Sequence, residues 1–108
     1  LDLQPLIFQP ADDVLPVQSN DYLDKLVAVM VKRPGISLKL CGVASNGEEV
    51  FMTEQGIDFD EKSLQQLAKT RSVTVKRYFV DNGIESGRLA LCKAQIHDKH
   101  LSGVMMSL

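Results

Sequence analysis

The sequence predicts an α/β fold of the α+β kind, a two-layer sandwich with two helices on one face of a mixed four-stranded sheet. Two segments of the 108-residue chain have the 3.6-residue apolar period of amphipathic helices. Four shorter segments are apolar or alternating in the manner of strands. Their order is strand, helix, strand, helix, strand, strand. Because strand–helix–strand connections are right-handed, both helices are expected on the same face of the sheet.

The composition is that of one ordinary globular domain spanning residues 1–108. Apolar residues make up 44% and charged residues 24% of the chain. The net charge of −2 argues against nucleic acid as a partner, because nucleic-acid binders usually carry a basic surplus. No apolar run approaches the ~20 residues that span a bilayer, so no direct membrane insertion by this segment is expected. Since the first residue is Leu1 rather than methionine, we expect a mature form or a piece excised from a longer protein.

The first half of the chain opens with a short predicted strand at residues 3–8, in which Pro5 is typical of an edge position. Residues 9–18 are predicted to be a loop. A helix is then predicted over residues 21–32, because its apolar residues recur at helical spacing and a Pro-Gly pair follows it. These residues are Leu23, Leu26, Val27, Met30 and Val31.

The second strand is predicted over residues 36–43, where apolar and other side chains alternate. Residues 44–60 combine a turn signal with large apolar side chains. Asn46–Gly47 is typical of a turn. Several large apolar side chains follow it, so we expect a partly packed excursion with at most a short strand or a turn of helix. These side chains are Val50, Phe51, Ile57 and Phe59.

The second helix has the strongest periodicity in the chain and lies within the stretch Ser63–Ile84. Asp60 or Ser63 can cap its start. Gly83 suits the left-handed residue that ends many helices. The apolar side of this helix comprises Leu64, Leu67, Ala68, Val75, Tyr78 and Phe79.

Arg71 interrupts that apolar side. It lies seven residues after Leu64 and seven before Tyr78, so it points with the apolar residues or along their edge. A charge in that place must pair, reach water or bind something. Two interpretations remain open. Arg71 is either structural and paired with an acid, or it binds an anion such as a carboxylate with its planar donors. The candidate acids are Glu48, Glu49 and Asp60.

Two strands are predicted to end the chain, over residues 89–96 and 103–108. The residues between them, 97–102, read as a tight connection. We therefore expect the last two strands to form a hairpin.

Cys41 and Cys92 each lie in an apolar, strand-like run. We favour two buried free thiols, since free cysteine behaves as a small core residue. A disulfide is the alternative, if the domain is extracytoplasmic and the two strands are adjacent. The cysteines form no CxxC pair, so no redox or zinc motif is predicted.

No motif of the chain predicts catalysis, a metal or a cofactor. The spacing His97-x-x-His100, with Asp98 between, supplies too few ligands for zinc. The acidic pairs Asp12–Asp13 and Glu48–Glu49 are interpreted as solvated loop residues. No nucleophile elbow, Walker loop or HExxH motif occurs, so we predict that the protein is not an enzyme.

The segment Leu67–Ile84 (LAKTRSVTVKRYFVDNGI) resembles the signature helix of OmpA-like domains. There, Leu-Ser-x-x-Arg-Ala-x-x-Val-x-x-Tyr-Leu is followed by Gly-Ile or Gly-Val. Upstream, LIFQPADDVLPVQSNDYLDKL and RPGISLKLCGVAS resemble the family's opening strand, loop and helix, and its second strand and turn. GVMMSL resembles the closing strand. The resemblance covers nearly the whole chain except the excursion.

OmpA-like domains bind peptidoglycan non-covalently, so the resemblance implies that Arg71 would hold the diaminopimelate of a stem peptide. The aspartate that works with this arginine belongs to a Thr-Asp pair, which falls on Ala44 and Ser45, so the aspartate is missing. The candidate ligand-binding residues are then Arg71, Ser45, Asn46 and Glu48, with Glu49 as a further substitute for the aspartate.

With these departures from the family pattern, the chain resembles one subgroup, the C-terminal ends of large AsmA-like bacterial envelope proteins of unknown function. The matching residues are Phe8, Pro10, Leu15, Tyr22–Leu23, Leu26, Arg33–Pro34, Leu38, Leu40–Cys41–Gly42, Leu64, Leu67, Ala68 and Arg71. The resemblance implies a periplasmic domain of a longer chain anchored in the inner membrane, with a role in envelope organisation such as outer membrane biogenesis. We predict a non-catalytic interaction or structural module that binds another envelope protein. Peptidoglycan binding through Arg71 is the alternative.

Overall fold

The strands form one mixed sheet, and the helices α1 and α3 contribute to a core built on one of its faces. The computed structural model describes residues 3–97 and 101–108. In these residues the strands and α-helices are β1 (Leu6–Ile7), α1 (Asn20–Lys32), β2 (Leu38–Ser45), α2 (Asn46–Glu54), α3 (Glu61–Asp81), β3 (Leu89–Leu91), β4 (Gln95–His97) and β5 (Gly103–Ser107). Short 3₁₀ turns lie at Val17–Ser19 and Ser86–Arg88. The predicted α+β fold and mixed sheet are confirmed.

The sheet order is β1, β5, β2, with β3 and β4 both on the far side of β2. β5 is antiparallel to both of its neighbours, whereas β3 and β4 run parallel to β2. The predicted third strand is therefore interrupted at residues 92–94, and its two halves continue along the same edge of β2.

The predicted hairpin of the last two strands is wrong. β5 lies between β1 and β2, on the opposite side of β2 from β3 and β4. Gly103 shows why a close partner is accepted there, since a Cβ at Gly103 would lie 1.8 Å from the carbonyl oxygen of Leu6. Without that Cβ, β5 can approach β1 and pair on both of its edges.

The main core lies between the sheet and the helices α1 and α3. It includes Leu23, Leu26 and Met30 of α1, Val75 and Phe79 of α3, and Leu38, Leu40, Val104 and Met106 of the sheet. Both predicted amphipathic helices are therefore confirmed, with one correction. Val31 was assigned to the apolar stripe of α1 but is 62% exposed, because it lies beyond the edge of the contact.

The excursion contains a nine-residue helix, α2, which was not predicted at this length. Asn46–Gly47 is not a turn but the first residues of that helix. Ser45 caps it, accepting a hydrogen bond from the backbone N–H of Gly47, while Glu48 bonds back to the backbone N–H of Ser45. This capping box supplies partners for free backbone groups at the helix start and favours helix over a turn.

The ends of α3 agree with the sequence. The carboxylate of Asp60 accepts a hydrogen bond from the backbone N–H of Ser63. The hydroxyl oxygen of Ser63 accepts one from the backbone N–H of Asp60. Gly83 has a φ of +95°, the left-handed conformation expected after the helix. None of the helices within residues 3–97 and 101–108 is long and apolar enough to cross a membrane.

Gly42 places α3 directly on β2, and a Gly42→Ala substitution should be strongly destabilising. A Cβ there would lie 1.7 Å from the backbone oxygen of Ala68, so α3 itself would have to move. We expect a loss of about 3 kcal/mol or more, at or above the usual range for overpacking. Urea denaturation measures it. Gly35→Ala is the matched control, because no atom beyond the adjoining residues lies within 4 Å of the new Cβ, and it should change stability by less than about 0.5 kcal/mol. Equal effects of the two substitutions would contradict this packing.

Candidate functional site

Arg71 lies fully buried on the sheet side of α3, with an exposed fraction of 0%. Its guanidinium donates to three backbone carbonyls: from Nε to Asp12 (2.8 Å), from Nη1 to Val43 (3.0 Å) and from Nη2 to Gln9 (3.1 Å). Nη2 also donates to Glu48 Oε1 at 2.9 Å. These contacts tie the loop after β1, the end of β2 and the start of α2 to one side chain.

Glu48 is the acidic partner of Arg71, and its side chain is also 0% exposed. Oε2 accepts from the backbone N–H of Ser45 (2.7 Å) and from the hydroxyl of Ser102 (2.9 Å). The hydroxyls of Ser45 and Ser102 lie 2.9 Å apart. Oε1 also accepts from the backbone N–H of Ala11 at 3.3 Å. We call Arg71, Glu48, Ser45 and Ser102 the arginine cluster.

The contacts around Glu48 favour its charged form. Burial by itself raises the pKa of this carboxyl. Hydrogen bonds from Arg71, from the backbone of Ser45 and from Ser102, together with the positive charge of Arg71, outweigh burial and hold the pKa below its ordinary value of 4.5. The arginine cluster therefore contains a charged pair, Arg71 and Glu48. The hydrogen bonds of the cluster replace the contacts with water that both side chains lose on burial.

Local structure brings these side chains together. Glu48 is the third residue of α2, where the capping box holds its side chain against Ser45. Arg71 follows Ala68 by three residues, so both lie on the side of α3 that faces β2. The ring of Phe8, in the segment after β1, lies 5.4 Å from the guanidinium carbon, within cation–π distance. Each partner thus comes from a different element of the fold.

The structure brings together three of the four candidate ligand-binding residues. Arg71, Ser45 and Glu48 meet in the arginine cluster, whereas Asn46 is exposed at the start of α2. Of the two interpretations of Arg71, the structure has the arginine paired with an acid. The interpretation of Glu48 as a solvated loop residue is wrong, because its carboxylate completes the cap of α2. Ligand binding by this set stays a prediction.

Sequence reasoning missed several members of this network. Ser102 was assigned to a tight connection, and its role depends on where β5 enters the sheet. The loop carbonyls of Gln9 and Asp12 gave no signal, since a backbone acceptor is present at every residue. Asp12 does accept locally from the backbone N–H of Val14, as loop aspartates often do.

A second arginine, Arg88, was also overlooked. It donates from Nε to the carbonyl of Ile36 and from Nη2 to those of Met30 and Arg33. Its contact with Glu85 is a partly exposed ion pair. Because the last carbonyls of a helix lack partners within the helix, Arg88 ties the end of α1 to the start of β3.

The two cysteines form a disulfide, which corrects the prediction of buried free thiols. Cys41 lies in β2, and Cys92 follows β3, the neighbouring strand, with 4.7 Å between the two Cα atoms. Both residues are half-buried on the sheet rather than in the core. The pairing follows from the parallel register of β2 and β3, which sets residue 90 beside residue 39.

The His97-x-x-His100 motif, for which no metal site was predicted, lies only partly within the residues that the structure describes. His97 is exposed, and its ring contacts the side-chain oxygen of Gln95. Asp98 and His100 lie outside the described residues. Within residues 3–97 and 101–108, no group of three or more potential metal ligands occurs.

Acid should weaken the domain partly through Glu48. A group whose pKa is lowered in the folded state stabilises it fully above its unfolded pKa, near 4.5, and loses that contribution as the pH falls through the folded value. The unfolding free energy should therefore drop as the pH falls below about 5. In Glu48→Gln it should start lower and drop less over the same range. Urea titrations at pH 7, 5, 4 and 3 measure this, and identical pH slopes would contradict it.

Comparison with known proteins supports the fold. No protein-family model matches the chain, and no curated protein sequence matches it. Among solved structures, the C-terminal domain of Helicobacter pylori MotB (residues 125–256) superposes with a TM-score of 0.70 and 15% identity, over 98% of this chain and 84% of that one.

Two further structures are similar. The OmpA-like domain of FopA1 from Francisella tularensis subsp. tularensis SCHU S4 has a TM-score of 0.65 and 19% identity, over 84% of this chain and 54% of that one. A putative MotB-like protein from Desulfovibrio vulgaris has a TM-score of 0.59 and 20% identity, over 86% and 52%. The chain thus spans about half the length of these two. At such identities the likeness concerns architecture, and the chain has the fold of an OmpA-like domain.

Proposed function

We propose that this domain is a non-catalytic interaction and structural module of a periplasmic cell-envelope protein. The observation that carries the proposal is that Arg71 is fully buried and paired with Glu48. The arginine that the family resemblance would assign to a ligand is closed inside the domain, where it holds three segments of the chain together. The module then acts through its surface rather than through that arginine.

The geometry of Arg71 supports this assignment quantitatively. Four of its five N–H donors are engaged by protein acceptors at 2.8–3.1 Å. Within the described part of the chain, every buried side-chain nitrogen and oxygen has a hydrogen-bond partner. The carboxylate of Glu48 accepts the hydrogen bond from Arg71 Nη2 that the carboxylate of a ligand would otherwise accept. The arginine cluster therefore needs no ligand to complete it.

The disulfide supports a location outside the cytoplasm. Disulfides persist in oxidising compartments such as the periplasm and are rare where thiols are kept reduced. The Cys41–Cys92 bond joins two neighbouring strands and is half-exposed, so a reducing compartment would reach it. Together with the fold, this favours the bacterial periplasm.

The parent protein is part of the proposal. The sequence is similar to the C-terminal ends of AsmA-like envelope proteins in three features: the pattern of the first helix, the Leu-x-Leu-Cys-Gly strand and the altered aspartate position. We infer a longer chain anchored in the inner membrane, with a role in envelope organisation. Its partner would be another envelope protein.

Two binding measurements test the proposed function. The 108-residue chain is immobilised and exposed to periplasmic extract, and a retained envelope protein is purified and its direct binding measured in solution. We expect specific, saturable binding. In parallel, the chain is sedimented with purified sacculi, where we expect no co-sedimentation. A chain that retains no envelope protein would contradict the proposal.

Peptidoglycan binding is the second candidate, because Ser45, at the position of the family's aspartate, lies in the arginine cluster. This function requires the Arg71–Glu48 pair to open, so that Arg71 can take the stem-peptide carboxylate while Asn46 or Glu49 meets the amine. Co-sedimentation with sacculi that is lost in Asn46→Ala would favour it. Asn46 is exposed, so this substitution leaves the buried pair intact.

A further inference from the structure

We propose that a groove at the start of α3 is the docking site for a basic, amphipathic segment of a protein partner. The groove is lined by Glu49, Phe59, Asp60, Glu61, Leu64 and Ile96. We call it the acidic groove. This inference rests on the proposed function and adds to it the place of docking and the chemistry of the occupant.

The acidic groove lies where α2, the linker before α3, the start of α3 and β4 meet, and it encloses about 360 Å³. Leu64, which is 2% exposed, forms part of a small second core with Ala44 and Ala68. Phe59 and Ile96 pack against that core while staying partly exposed. The floor of the groove, formed by Phe59, Leu64 and Ile96, is therefore apolar and held in place by the small core beneath it.

Negative charge rims this apolar surface. Three of the six lining residues are acidic, and Asp58 lines an adjoining depression of about 310 Å³ that shares Phe59 and Asp60. No lysine or arginine lines either one. The charged residues that line the groove are therefore all acidic, and their charge attracts a cation.

The start of α3 does not reverse this sign. A helix N-terminus carries about half a positive charge, which would favour an anion if it stood alone. Here the carboxylate of Asp60 caps that end and accepts from the backbone N–H of Ser63. Glu61 adds a further charge in the first turn. The helix end is thus already neutralised, and the remaining charge favours a cation.

Charge complementarity and the apolar floor together select the occupant. A wholly polar cation would leave Phe59, Leu64 and Ile96 uncovered, whereas a wholly apolar segment would remove water from carboxylates without compensation. A segment that alternates lysine or arginine with leucine-like side chains satisfies both surfaces. The volume is at the lower end for ligand sites and fits one or two such side chains. Cell-wall glycopeptides are polar and would not use the floor.

The test uses the ¹⁵N-labelled 108-residue chain and defined probes. A blocked hexapeptide of alternating leucine and lysine is titrated and followed by amide chemical shifts. Control probes are the leucine–glutamate hexapeptide, a glycine–lysine hexapeptide and a soluble muropeptide. We expect saturable shifts at Glu49, Phe59, Glu61 and Ile96 with the leucine–lysine peptide alone, and weaker binding as salt is raised.

Charge variants make the assignment specific. Glu49→Gln/Glu61→Gln should weaken binding of the leucine–lysine peptide at least about 5-fold, a loss of ~1 kcal/mol. Glu54→Gln/Asp81→Asn removes the same charge from exposed positions outside the groove and should leave the affinity unchanged. Circular dichroism establishes that both variants are folded. Equal weakening by the two pairs would overturn the groove assignment.

The other outcomes are also decisive. Absent shifts, shifts outside the groove, or groove shifts produced by the muropeptide alone would each overturn the proposal. The proposed function fails separately. An envelope protein whose binding is unchanged by Glu49→Gln/Glu61→Gln would preserve the interaction module but exclude the groove, whereas retention of no envelope protein would contradict the module itself.

Discussion

Replacing Glu48 by alanine is expected to destabilise the domain by about 3–5 kcal/mol. The substitution leaves the buried positive charge of Arg71 without the carboxylate that pairs with it at 2.9 Å. It also removes the acceptor for Ser102 and for the backbone N–H of Ser45. Urea denaturation at pH 7, followed by circular dichroism, measures the change in unfolding free energy.

Arg71→Ala should cost at least as much. It leaves the buried carboxylate of Glu48 without its positive partner and removes the hydrogen bonds that Arg71 donates to the carbonyls of Gln9, Asp12 and Val43. Arg71→Lys should recover little, because one ammonium cannot reach three carbonyls and a carboxylate in a fixed fork geometry.

A double-mutant cycle separates the charge pair from the carbonyl contacts. The cycle compares Arg71→Met, Glu48→Leu and the double variant Arg71→Met/Glu48→Leu. The double variant removes both charges, so its loss should fall below the sum of those two single losses by about 2 kcal/mol or more. The double variant should still be less stable than the wild type, because methionine offers no donors to the loop carbonyls. Additive single effects would contradict the pairing of Arg71 and Glu48.

Loss of the disulfide should have an effect of similar size. The bond closes a loop across a sequence separation of 51 residues. Chain-entropy arguments assign such a closure about 4 kcal/mol at 25 °C. Cys41→Ala/Cys92→Ala should therefore lower the unfolding free energy by about that amount, through a less restricted unfolded chain.

Reductant supplies the matched control. Wild-type protein in dithiothreitol should lose the same stability, since neither cysteine is deeply buried. The double-alanine variant should not respond to dithiothreitol. A wild type whose urea midpoint is unaffected by reduction would contradict a stabilising role for this bond.

Local patterns determined much of this fold. The 3.6-residue period of α1 and α3 predicts both helices, since one face of each must be covered by the core. The cap at Asp60 and the left-handed Gly83 are set within four residues of the helix ends. The alternation in β2 predicts a strand with one covered face. Arg71 stands out in sequence because a charge on an apolar face requires an explanation.

Pairings between distant residues could not be obtained in this way. β5 enters between β1 and β2 because Gly103 permits close approach to Leu6, which no local pattern reveals. The disulfide depends on β2 and β3 being neighbours. The missed helix α2 is a different case, because its capping box joins Ser45 to Glu48 only three residues on, and Asn46–Gly47 between them was interpreted as a turn.

The sequence by itself determined the class of fold, the two long helices and the presence of an arginine that had to be compensated. It could not select among Glu48, Glu49 and Asp60, because periodicity places a side chain on a face but does not say what lies opposite. Only the tertiary structure decided that Glu48 pairs with Arg71, while Glu49 and Asp60 line the acidic groove. The physical reason is that a buried charge must meet its partner within about 4 Å, a distance set by how α2, α3 and the sheet pack together.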